Sequence, residues 1–209
     1  MATDADRRHF LLRRLHSLSG LVPIGVYMLL HVYVANATIL AGPRAFNWVA
    51  ETLESVPRFM LLFVEIFLLW LPIAFHSFYG LFIVREAEHN FTAYPYARNV
   101  LYSLQRYTGV MALLFIGFHM YTTRLYNYFF GVPINYDTMH GWISNPLVFA
   151  VYLLGVLAAV FHLTNGISTF CITWGITVGV RAQRAVQRVC TVLFVVMGAT
   201  GLLIVTAFR

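Results

Sequence analysis

The sequence has no lysine: all 14 of its cationic side chains are arginine. It is short of charge of either sign, with 11% charged residues and 8 Asp and Glu against 60% hydrophobic residues. A soluble domain is nearer ~45–50% apolar and ~25% charged, so a soluble globular protein and a disordered chain are both excluded. Cysteine is scarce too. Cys171 and Cys190 stand alone, with neither metal-binding spacing nor a disulfide framework, and read as small buried residues. A net charge of +6 would suit nucleic acid, but the arginines are dispersed between long apolar runs. Their placement fits membrane topology, and no nucleic-acid partner is expected.

What is present is apolar sequence in spans. About 17–25 apolar residues cross a bilayer, and 209 residues provide five such runs with short loops. The expectation is an all-α integral membrane protein, one transmembrane domain over 1–209, with helices at about 17–40, 59–84, 106–130, 147–172 and 188–208. The runs are continuous rather than alternating, which excludes a β-barrel. No room remains for a separate soluble domain, so any soluble chemistry belongs to other chains. Residues 1–14 are polar, and the apolar run after them is too long for a signal-peptide core and lacks a cleavage pattern, so it reads as a retained first helix. Gly42-Pro43 and Gly131-Val132-Pro133 are turn signals, while Pro23 and Pro72 fall inside helices and predict kinks. Arg124, near the end of the third helix, is expected to snorkel outward.

The arginines orient the chain. With the N-terminus in the cytoplasm, the inner segments hold Arg7, Arg8, Arg13, Arg14, Arg85, Arg98, Arg106, Arg181, Arg184 and Arg188. The outer ones hold Arg44, Arg58, Arg124 and Arg209. That bias predicts a multi-pass protein of the cell's inner, cytoplasmic membrane with its C-terminus outside.

Four of the eight histidines sit inside spans, one on each of the first four helices: His31, His76, His119 and His162. Ionisable groups in hydrocarbon are rare and usually functional. Counting at 1.5 Å per residue puts His31 and His119 roughly 21 and 20 Å from the inner side, and His76 and His162 roughly 14 and 14–18 Å from it. Two pairs at two depths are what two bis-histidine haems require, with ligands supplied by facing helices. Zinc fits less well, since no Cys, Asp or Glu completes a tetrahedral set. Gly80 and Gly166, one turn beyond His76 and His162 in an F-H-x-x-x-G echo, offer room for a macrocycle, and Gly25 and Gly155 offer either that or helix packing. Each ligand's other ring nitrogen needs a partner, for which carbonyls one turn earlier are the candidates. His9, His89 and His140 fall in terminal or loop segments and read as solvated surface residues.

Further candidates lie near the two pairs. His16, after Arg13-Arg14 at the inner interface, suits a haem propionate or a quinone oxygen, and Arg14, Ser17 and Arg106 suit propionates of the inner haem. Glu65 is the only carboxylate inside a span. It lies three turns outward of His76, at the level of the outer haem, and is a candidate proton relay at a quinone site.

Arg13-Arg14-Leu15-His16-Ser17-Leu18-Ser19-Gly20 resembles the N-terminal motif of the dihaem cytochrome b membrane anchor of succinate dehydrogenase and fumarate reductase. Leu104-Gln105-Arg106-Tyr107-Thr108-Gly109, Phe161-His162 with Asn165-Gly166, and Thr173-Trp174-Gly175-Ile176-Thr177 extend the resemblance from about residue 8 to 208. It implies five helices, two haems b and a quinone site. His31 and His119 would hold the outer haem iron and His76 and His162 the inner one, the pairing that depth gives independently. It also implies a flavoprotein (FAD) subunit and an iron–sulfur subunit on the cytoplasmic face, with Trp174 an interfacial anchor or a subunit contact. Electrons from succinate would pass from the clusters to the inner haem, the outer haem and then a quinone, or in reverse for fumarate reduction. Menaquinone is favoured as the quinone, and a higher oligomer of the complex is compatible. Two rivals stand beside this reading. One is the cytochrome b subunit of a hydrogenase or formate dehydrogenase, against which the motifs around His16 and Trp174 argue. The other is a His-bearing proton or metal transporter, which predicts a polar pore or broken helices.

Overall fold

The computed structural model describes residues 4–209, so residues 1–3 of the expected single domain lie outside the described residues. Among the described residues there are helices and no strand. Five helices among these residues are long and apolar enough to cross a membrane: Arg7–Ala41, Arg58–Arg85, Ala97–Phe130, Pro146–Thr173 and Val180–Ala207, the first to fifth spans. The chain is a multi-pass membrane protein, as its apolar runs predict.

The odd-numbered spans begin earlier than the hydrophobic runs suggest, at Arg7, Ala97 and Val180 rather than 17, 106 and 188. All three extensions lie at the same end of the bundle, where most of the arginines are. Helical hydrogen bonding does not stop where hydrocarbon does. Arginine is a good helix former, so polar turns continue each helix past the apolar segment. Gly131 (φ 68°) and Gly175 (φ 71°) adopt the left-handed conformation that ends the third and fourth spans.

The fourth span is the hub. It packs along the third and the fifth and buries Tyr152, Gly155, Ala158, Val160, Thr164, Asn165 and Ser168. Small residues permit the approach. A Cβ on Gly155 would overlap the Phe115 ring, and one on Gly201 would lie 2.7 Å from Val156. Gly155 therefore serves helix packing. The second span, by contrast, buries none of its residues fully. It turns side chains such as Phe59 (74% exposed) and Phe78 (75%) outward, as a helix solvated by lipid tails does.

Two short helices, Pro43–Glu54 and Tyr136–Ile143, roof the end opposite the arginines. Gly42 (φ 108°) makes the turn into the first, and Pro43 occupies its opening position, where a missing N–H costs least. Asn135 caps the second by accepting from the Thr138 N–H at 2.9 Å, and Asn47 Oδ1 accepts from the Tyr136 N–H at 2.8 Å, joining the two. Beneath them Phe46, Met139, Ile143, Tyr152, Ile204 and Phe208 form an apolar cluster. His140 is not the solvated residue expected: its Nδ1–H donates to the Phe208 carbonyl at 3.0 Å and ties this roof to the end of the fifth span.

Among the described residues four stretches widen into π-helix: Gly20–Gly25, Leu30–Ala35, Glu65–Trp70 and Tyr121–Leu125. The first contains Pro23, and the third contains Leu68, whose carbonyl Pro72 would meet in a regular helix. At the two prolines the predicted irregularity thus takes the form of wide turns. Such turns gather at functional sites, and here they hold or adjoin His31, Glu65 and His119.

Candidate functional site

The four membrane histidines come together in twos, across helices. His31 of the first span faces His119 of the third, ring centres 5.7 Å apart with planes at 65°. His76 of the second faces His162 of the fourth, at 6.0 Å and 88°. These are the pairs that depth counting predicts.

What anchors each ring differs from the expectation of carbonyls one turn earlier. His76 Nδ1 lies 2.9 Å from the carbonyl of His16 on the first span, and His162 Nδ1 lies 2.9 Å from that of Gln105 on the third. A carbonyl only accepts, so in both rings Nδ1 carries the proton and Nε2 keeps its lone pair. The outer pair meets hydroxyls instead: His119 Nδ1 lies 3.2 Å from Tyr152 Oη, and His31 Nδ1 lies 3.5 Å from Tyr27 Oη. The expectation failed because the acceptors come from neighbouring helices or from side chains. A carbonyl one turn back in a helix is already engaged in the helix's own ladder.

A polar chain backs His162. The Gln105 amide donates to the His162 carbonyl at 3.0 Å, and its oxygen accepts from the buried Asn165 at 2.7 Å. Both residues belong to the quoted motifs, but their partnership is a tertiary fact.

Two glycines make the approach to the inner rings possible, and neither is one of those the sequence offers as room for a macrocycle. A Cβ on Gly20 would fall on the His76 ring, and one on Gly109 would come within 2.8 Å of His162. Gly80 instead faces His16 Nε2 at 3.1 Å and Gly166 the Gln105 amide at 3.4 Å, while Gly25 faces Leu163 at 2.9 Å. Gly20 and Gly109 each close a motif, the signal that could have singled them out.

His16 lies flat against His76, ring centres 4.1 Å apart and planes at 9°, so the inner site holds three imidazoles. Ser17 Oγ accepts from the Trp174 indole at 3.0 Å and donates to the Arg14 carbonyl at 3.0 Å. The Arg14 guanidinium stacks on Phe10 and Trp174 and reaches the Thr173 carbonyl at 3.4 Å. Arg106 folds over Tyr102, 3.3 Å from its ring centre, and donates to its carbonyl at 2.8 Å. Among the described residues Arg14 Nε, Arg106 Nε and Tyr79 Oη are buried with no protein partner. Buried donors left open are uncommon, and all three lie at the arginine-rich end, near the inner pair.

Glu65 is not solitary. Arg124 Nε lies 2.9 Å from its Oε1 and Nη2 lies 3.1 Å from its Oε2, with side chains 26% and 18% exposed. Arg124 therefore turns inward to the second span rather than snorkelling outward. The physical reason is the carboxylate itself: in a low-dielectric span a fork-shaped cation gains more from a two-point pair than from distant water.

The pattern of the family described as "Succinate dehydrogenase/Fumarate reductase transmembrane subunit" matches residues 85–203. The chain is also similar to the succinate dehydrogenase cytochrome b558 subunit of Bacillus subtilis (strain 168), at 40% identity over 205 residues covering 98% of this chain and 99% of that protein.

Proposed function

The chain belongs to the succinate dehydrogenase/fumarate reductase transmembrane-subunit family, and from that premise we propose that it anchors such a complex in the cytoplasmic membrane and holds two haems b. The observation that carries the haem reading is the spacing of the imidazoles. Two rings binding one metal from opposite sides, each nitrogen roughly 2 Å from it, have centres roughly 6 Å apart. The paired rings stand 5.7 and 6.0 Å apart. Glycines beside the inner rings and open donors at the arginine-rich end also suit a bulky, carboxylate-bearing group.

His31 and His119 would hold the outer iron, and His76 and His162 the inner one. When bound, the haems relay single electrons between an iron–sulfur partner and a membrane quinone, for which menaquinone is the favoured candidate. The chain's own work is positional. The His16 and Gln105 carbonyls hold the inner rings in the tautomer that leaves Nε2 free. Arg14, Arg106 and His16 are placed to take propionates or a quinone oxygen, with Ser17 and Trp174 bracing Arg14. The arginine-rich end is the docking face for the iron–sulfur and FAD-bearing flavoprotein subunits.

Glu65 is proposed as the proton relay of the outer quinone site. Arg124 holds its carboxylate and has to loosen its grip for a proton to be taken up. Glu65→Gln should therefore lower quinone-linked turnover at normal haem content. Full turnover in that variant removes Glu65 from the proton route.

The experiment for the whole proposal is a reduced-minus-oxidised spectrum of the purified complex. A b-type α-band reducible by succinate, with flavin and iron–sulfur chains co-purifying, is expected. Absence of the band would favour the transporter reading, and a band without succinate-reducible partners would favour the hydrogenase or formate dehydrogenase one.

A further inference from the structure

We propose that Tyr152, backed by Thr122, is the positioning residue of the outer site: it accepts a hydrogen bond from Nδ1–H of His119, keeps Nε2 of that ring free for iron, and tunes the outer haem without touching the inner one. The proposal rests on the dihaem reading above. Tyr152 Oη lies 3.2 Å from His119 Nδ1 and 3.0 Å from Thr122 Oγ1. Tyr152 and Thr122 are 4% and 0% exposed, so water does not compete for these bonds. Tyr152 is also held edge-on by the rings of Phe115 and Phe118, at 5.4 and 6.2 Å.

The direction of the bonds follows from counting protons. Each hydroxyl has one to give. Thr122 Oγ1 lies 3.1 Å from the His119 carbonyl and 3.2 Å from that of Phe118, and neither carbonyl can donate in return. Thr122 gives its proton there, as threonines in helices do, and its oxygen then accepts the Tyr152 proton. The phenol oxygen in turn accepts from His119 Nδ1–H. Reversing the chain would put the ring's only proton on Nε2 and close it to a metal.

The two sites are thereby anchored by different chemistry. The inner rings donate to main-chain carbonyls of residues 16 and 105, which side-chain substitution does not remove. His119 donates to a hydroxyl that substitution can remove. An N–H that donates to an acceptor makes the imidazole a stronger electron donor to its metal and favours the oxidised iron. Losing the acceptor shifts the potential upward.

The test is Tyr152→Phe in the assembled complex, followed by redox titration and by the low-spin ferric EPR signals. The outer haem should titrate at a higher potential with a displaced EPR signal, the inner haem should match wild type, and the haem-to-chain ratio should stay unchanged. Thr122→Val, which keeps the phenol, should shift the outer haem in the same direction by less, and Thr122→Ser should restore wild-type behaviour. If the Tyr152→Phe complex does not assemble, Thr122→Val supplies the reading. Unchanged signals in a haem-replete variant, or a shift confined to the inner haem, overturn the proposal. A wild-type complex with fewer than two haems per chain fails earlier, at the dihaem reading, and brings this proposal down with it.

Discussion

Gly20 and Gly109 have no side chain where two imidazoles stand against the backbone. A methyl on Gly109 would have to displace the His162 ring, which is held in place by the Gln105 carbonyl and by the motif's own polar chain. Gly109→Ala should therefore weaken or abolish the inner haem's spectrum and leave the outer haem's intact, read by reductive titration of membranes. Equal loss of both haems would mean that the glycine serves general packing. The histidines themselves are legible without a structure, because each ionisable ring in a hydrocarbon run needs a reason to be there. Their hydrogen-bond partners are not. Residues 16 and 76 are 60 positions apart and meet only because the first and second spans pack side by side. No periodicity within one helix reports that.

At the scale of the helix, the ion pair between Glu65 and Arg124 bears on how the second span is held. That span buries no residue fully, and the pair joins it to the third span from inside two wide helical turns. Removing one partner of a buried pair costs about 3–5 kcal/mol because the other charge is left alone. Inside a span the exposed part of each side chain faces lipid rather than water, so the cost of Arg124→Gln should lie in that range. Thermal unfolding of the complex should show it as a lower midpoint, and Glu65→Gln combined with Arg124→Gln should recover part of the loss. No recovery in the double variant would mean that the pair is not what joins the spans. Sequence showed the carboxylate and the guanidinium but not their meeting. Hydrophobic runs likewise located the spans but understated their length, because composition marks the edge of the hydrocarbon and not the end of the helix.

Across the whole molecule most of the arginines lie at one end, and the short helices with their apolar cluster lie at the other. The charge bias predicts that the arginine-rich end faces the cytoplasm. With Cys171 and Cys190 replaced by serine, a cysteine at the exposed position 88 should be labelled by an impermeant reagent only from the cytoplasmic side, and one at the exposed position 54 only from outside. The reverse pattern would invert the topology and move the partner subunits to the other face. The fold class was readable because a bilayer permits few solutions. The roof of short helices was not, since Pro43–Glu54 and Tyr136–Ile143 are too short and mixed in character to stand out from loops.

The central claim, that four imidazoles hold two irons in the pairs His31 with His119 and His76 with His162, is tested most directly by the haem-to-polypeptide ratio of the purified complex, wild type and each single His→Leu variant. The account predicts two haems per chain in the wild type and one in each variant, since leucine offers iron no ligand, with His76→Leu and His162→Leu losing the same spectral component and His31→Leu and His119→Leu losing the other. One haem or none in the wild type, or a component lost across the pairs instead of within them, would contradict it.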